Sequence, residues 1–192
     1  MIVATMKRAG RLLAGLLLVM AGMATAANLE PARIDAYIAS LADVRALGDE
    51  LKAEGKAAFL AGQIMPAEGD AFDPHSRAVE ALQRDEPDYF SRLEALVLEH
   101  GFTSAHSWAI AGDRIVLAYG AEKVAAESPQ MLVLAAQSGP EQEMLMQALP
   151  APQREQLKQA LVIARALAQV PDADRAAVKP YIGQLDTLFG QP

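Results

Sequence analysis

The chain contains no cysteine. That absence excludes disulfides, a thiol enzyme and lipid attachment through a lipobox cysteine, so the fold must be held by its core alone. Histidine is scarce: only His75, His100 and His106 are present, and no His-Glu-x-x-His arrangement exists. Hydrolytic signatures are missing too, since there is no Gly-x-Ser-x-Gly elbow and no Ser-x-x-Lys. A glycine-rich phosphate loop is absent. Paired carboxylates such as Glu94 and Glu99 lie five apart and do not share a helix face, so a glycosidase reading has no support. No segment alternates apolar and polar residues over a strand's length, which points away from β structure.

What is present begins at the N-terminus. Lys7, Arg8 and Arg11 precede an uncharged apolar run from Leu12 to Met20, and Ala24-Thr25-Ala26 supplies small residues beyond it. This is the pattern of a secretory signal peptide cleaved after Ala26, giving a leader over 1–26 and one domain over 27–192. The competing reading is an uncleaved membrane anchor. A span needs about 20 predominantly apolar residues, and Gly15, Gly22 and Thr25 dilute this run. Removing 26 of the 192 residues leaves 166, one domain's worth. A chain of that size buries roughly 70% of its unfolded surface, enough for a stable core without staples.

Cleavage also changes the charge. Lys plus Arg falls from 17 to 14 while Asp plus Glu stays at 24, so the net charge moves from −7 to −10. Such a chain repels phosphate backbones and anionic headgroups, which argues against nucleic acid and against membrane docking after cleavage.

Prolines punctuate the rest. Pro31, Pro74, Pro87, Pro129, Pro140 and Pro152 each precede a helix-like segment, where the missing N–H has no intrahelical partner. Asp73 and Ser128 are expected as N-caps of the segments after them. The first helix starts near Pro31 with Ile34, Ile38, Leu41, Val44 and Leu51 at helical spacing, and either ends near Gly55 or continues to Gly62. Residues 63–73 read as a loop. Helices follow over 74–84, with Val79 and Leu82 inward, and over 87–100, with Tyr89, Leu93, Leu96, Val97 and His100 inward. Gly101 is placed to end the latter as a left-handed C-cap. Thr103 or Ser104 caps a helix running to about Lys123, although Ile115 to Tyr119 also fits a short buried strand.

Further helices are expected at 129–137, 140–149 and 152–169, the last with Leu157, Ala160, Leu161, Ala164, Leu167 and Ala168 as its apolar stripe. A final segment over 172–189 carries Val178, Ile182, Leu185, Leu188 and Phe189, with Pro180 either kinking or dividing it. The expected fold is all-α, a single irregular bundle of seven or eight short helices.

The most distinctive stretch is Gly101-Phe102, Trp108, Gly112-Asp113-Arg114 and Tyr119. It resembles a segment of small exported all-helical proteins of Gram-negative bacteria. The resemblance implies export and a helical fold, and it brings no activity. Trp108, Gly112, Ile115 and Tyr119 share one helix face. A glycine within a helix costs about 1 kcal/mol relative to alanine, so Gly112 calls for a packing reason, either room for an indole or a close helix crossing. Asp113 and Arg114 cannot both face inward with Trp108, and Arg114 suits a carboxylate on a neighbouring helix. The structural reading is a packing motif with a salt bridge at its rim. The functional one is a ligand- or partner-binding site of Trp108, Arg114 and Tyr119.

His100 and His106 straddle Gly101, with Glu99 near enough to be a third ligand, but the spacing is not diagnostic of zinc. Asp70, Asp73 and His75 lack calcium-loop spacing. Met144 and Met146 are two apart and point away from each other on a helix, so core filling suits them better than copper. The sequence therefore predicts no metal and no cofactor. It suggests a periplasmic or secreted non-catalytic binding, adaptor or chaperone-like factor acting on an envelope protein or a small ligand. The rival readings are an enzyme using His100, His106, Asp113 and Arg114, and a periplasmic metal-binding protein.

Overall fold

The computed structural model describes residues 29–56, 58, 71–136 and 148–190. The leader expected over 1–26, most of the loop expected over 63–73, nearly all of the helix expected over 140–149, and Met65, Met144 and Met146 lie outside them. The described residues are helical, with no strand among them. In order come α1 (Pro31–Ala53), α2 (Pro74–Asp85), α3 (Pro87–Glu99), α4 (Ala105–Glu127), α5 (Pro129–Ala136), α6 (Ala151–Ala168), α7 (Asp172–Val178), a 3-10 turn (Lys179–Tyr181) and α8 (Ile182–Phe189). None of these helices is long and apolar enough to cross a membrane.

The helix ends follow local chemistry. α3 ends in a Schellman motif: Gly101 takes φ of 82°, the Phe102 N–H reaches the Val97 carbonyl at 3.1 Å, and the Gly101 N–H reaches that of Leu98 at 3.0 Å. α1 ends the same way at Gly55, with φ of 74°, and so stops well short of Gly62. Ser104 opens α4 through a capping box with Ser107. Residues 115–119 are helical, so the strand alternative falls. Pro180 divides the last segment: α7 stops at Val178, and the proline sits in a 3-10 turn before α8.

α4 is the axis of the molecule. It packs on α1, α2, α3, α5, α6 and α7. Ile115, Ala118 and Ala121 on it are wholly buried, as are Ile34 and Tyr37 on α1, Val97 on α3, Val178 on α7 and Leu185 on α8. Each such aliphatic side chain contributes about 1.5–3 kcal/mol by leaving water. α1 and α2 both rest on α3 and α4, and their backbones lie apart from each other. α6 differs from its expected pattern: none of its residues is fully buried, and Ala160 and Ala168 of the predicted stripe are exposed.

Candidate functional site

The N-terminal half of α4 carries a buried polar clasp. The Asp113 carboxylate reaches the start of α2 and accepts from the His75 N–H at 2.7 Å, the Ser76 N–H at 3.1 Å and the Ser76 hydroxyl at 2.6 Å. Its Oδ1 also lies 3.0 Å from His75 Nδ1. These are the N–H groups that a helix leaves without intrahelical partners. Asp113 is thus the N-cap of α2, supplied from another helix. The sequence assigned that role to Asp73, whose side chain caps nothing and instead accepts from Arg77 Nε at 2.7 Å. The long guanidinium four residues on competes for the local carboxylate and leaves the cap to Asp113.

His75 extends the clasp. A carboxylate only accepts, so Nδ1 carries the ring proton, and Nε2 accepts from the Tyr37 hydroxyl of α1 at 2.9 Å. Burial pushes the Tyr37 hydroxyl far above its ordinary value, the Asp113 charge adds to this, and Arg45 only partly opposes it. An acid–imidazole–hydroxyl chain resembles the logic of an activated nucleophile. Here the hydroxyl is fully buried and held protonated, so the chain serves as a hydrogen-bonded brace. Trp108 Nε1 donates to Ser40 Oγ at 2.8 Å, and Ser40 Oγ donates to the Tyr37 carbonyl at 2.7 Å. The rings of Tyr37, His75 and Trp108 pack mutually, with centroids 5.4–5.8 Å apart.

Gly112 permits this closure. A Cβ there would lie 2.8 Å from Tyr37 Cε2 and 2.9 Å from His75 Cδ2. The missing side chain therefore makes room for a tyrosine and a histidine.

Beside the clasp, between the splayed helices α1 and α2, lies a pocket of about 250 Å³. Val44, Leu47, Gly48 and Leu51 form its α1 wall, Ala78, Val79 and Leu82 its α2 wall, and Leu93, Tyr89 and Trp108 its base. Among the described residues, His75 is the one titratable group on the wall other than Tyr89. Gly48 is exposed, and nothing lies within 4 Å of a Cβ placed on it. A mid-helix glycine costs about 1 kcal/mol relative to alanine, and no close contact requires this one. Its effect is to leave the pocket open.

The three residues expected to bind a ligand are not brought together. Trp108 lines the apolar pocket. Arg114 forms a fork with the buried Asp174 of α7, Nε to Oδ2 at 2.9 Å and Nη2 to Oδ1 at 2.6 Å, as the packing reading required. It also borders two further hollows, of about 580 Å³ and 480 Å³. Tyr119 donates to Asp186 of α8 at 2.7 Å and packs edge-on against Phe189. The residues of the enzyme reading are likewise dispersed. His100 Nε2 lies 2.9 Å from Asp43, and His106 packs on Phe90. Asp113 serves α2 and Arg114 serves α7. Among the described residues no three His, Asp or Glu side chains converge as a metal ion would need.

The sequence missed Tyr37, Ser40 and His75 because their partners lie 37 or more residues away along the chain, beyond any local pattern. Trp108, Gly112 and Asp113 are the members of this set that the sequence singled out. No family model matches the chain, and no curated protein or solved structure matches it.

Proposed function

We propose that this chain is an exported, non-catalytic binding protein of the cell envelope, an adaptor or chaperone-like factor acting in the periplasm after cleavage at Ala26. The reading includes one domain over 27–192, an irregular bundle of seven or eight short helices. The apolar pocket between α1 and α2 carries it. Pockets with largely hydrophobic walls and few polar groups are the usual form of a binding site. The groups beside it with chemical potential are committed to structure: Asp113 caps a helix, both ring nitrogens of His75 are engaged, and Tyr37 is buried and protonated. Reaction chemistry needs a group free to change partners.

Two measurements test the reading. N-terminal sequencing of protein recovered from the periplasm should begin near Ala27, whereas a start at Met1 replaces this location with a membrane anchor. Envelope extracts passed over the mature chain and over its pocket-filled variant Gly48→Phe should yield a bound species, small or large, retained only by the former. Equal yields from both would remove the pocket as the working surface.

A further inference from the structure

We infer that the α1–α2 pocket holds one small, uncharged, predominantly apolar molecule, with about ten carbon atoms buried, judged from cavities of about 150 Å³ that take up benzene. This deepens the binding reading above and rests on it.

The walls dictate the chemistry. Among the described residues, three of the polar side-chain atoms on them are already spent, Trp108 Nε1 on Ser40, His75 Nε2 on Tyr37 and His75 Nδ1 on Asp113, while the Tyr89 hydroxyl is buried without a hydrogen-bond partner and carries no charge. What faces an occupant is methyl groups and ring faces. A buried charge would find no counter-charge among the described wall residues to compensate its lost hydration. Lys56 and Arg92 sit against the ring of Tyr89, a wall residue, and are already paired, Lys56 with Glu54 and Glu86 and Arg92 with Glu50.

The surroundings argue for a small molecule over a protein surface. A stable protein interface covers about 800 Å² on each partner and has an apolar centre. The large apolar side chains exposed among the described residues are Leu98, Ile110, Val133 and Phe189, and none lines this pocket. Around Tyr89 the neighbours are ion pairs instead. Access is between α1 and α2, where Gly48 is exposed and Val44, Pro74 and Ala78 are half-buried. Gly48 keeps that side open, with no atom within 4 Å of where its Cβ would be.

The chain has one tryptophan, and it lies in the pocket wall. Its emission therefore reports occupancy. Titrating the mature chain with 1-octanol should give a saturable shift of Trp108 emission. Gly48→Phe, which fills the pocket from α1, and Ala78→Leu, which narrows it from α2, should each weaken that binding at least tenfold while keeping the helical circular dichroism of the parent. Octanoate, of the same length but charged, should bind at least tenfold more weakly than the alcohol at neutral pH. A shift that never saturates, equal saturation in folded filled variants, or octanoate binding as well as octanol would each overturn the inference. If octanol fails while Gly48→Phe still abolishes capture of an envelope protein, the small-molecule occupant is wrong and the binding reading survives. If both fail, both readings fall.

Discussion

The two halves of α4 hold their neighbours by different physics. Its N-terminal half grips α1 and α2 through buried groups that form a closed set: Trp108 to Ser40, and Asp113 to His75 and Ser76, with Tyr37 closing on His75. From Arg114 onward the helix holds α7 and α8 through charge: Arg114 to Asp174, Glu122 to Arg175 at 2.8 Å, and Tyr119 with Lys123 to Asp186. Of these carboxylates only Asp174 is buried. A buried hydrogen-bond set gives a rigid geometry but is costly to break, because each orphaned group loses its water as well as its partner. Exposed ion pairs give little stability and are screened by salt. The rigid half is the one that borders the apolar pocket.

The largest effect should come from Asp113→Ala, which orphans the His75 and Ser76 amides together and should cost about 3 kcal/mol in urea denaturation. A loss no larger than that of an exposed ion pair would erase the distinction between the halves. Next come two glycines, each replaced by alanine. Gly112→Ala pushes a methyl into Tyr37 and His75 and should destabilise by about 1–3 kcal/mol. Gly48→Ala meets open space and should stabilise by about 1 kcal/mol. Thermal melts of the pair should move in opposite directions.

Tyr37→Phe removes one buried hydrogen bond and should cost about 1 kcal/mol. Because the folded state raises the Tyr37 value above the ordinary 10.0, its contribution is fully present below pH 10 and is lost as pH rises beyond it. Stability of the parent should therefore fall more steeply above pH 10 than that of the phenylalanine variant. The smallest effect belongs to Asp186→Asn. The Tyr119 hydroxyl and then Lys123 hold this carboxyl below its ordinary 3.8. Its contribution is present above that value and is lost as pH falls through the lower folded value. The variant should flatten the acid limb slightly and reduce the salt dependence of stability.

Helix positions were legible because their signals are local. Proline at the first turn, Ser104 at a cap and Gly101 at a left-handed end each act within a few residues. Arg114 was legible as a residue needing a carboxylate, though not as the partner of Asp174, 60 residues on. The clasp was hidden for the same reason. Asp73 stood in the right place to cap α2, and Arg77 four residues on was the local signal that its carboxylate would be taken. The pocket was hidden too, because it arises from the separation of α1 and α2, a property of how both lie on α4.

The cap that α4 lends to α2 has a consequence for cooperativity. First-turn amides of a helix ordinarily exchange their hydrogens with solvent quickly, since nothing within the helix protects them. Those of His75 and Ser76 are bonded to a side chain from 37 or 38 positions further on. Their exchange therefore reports the undocking of one helix from another, and the start of α2 should resist fraying for as long as α4 stays in place. α2 and α4 should therefore open as a single foldon, with the beginning of the shorter helix completed only when the longer one arrives.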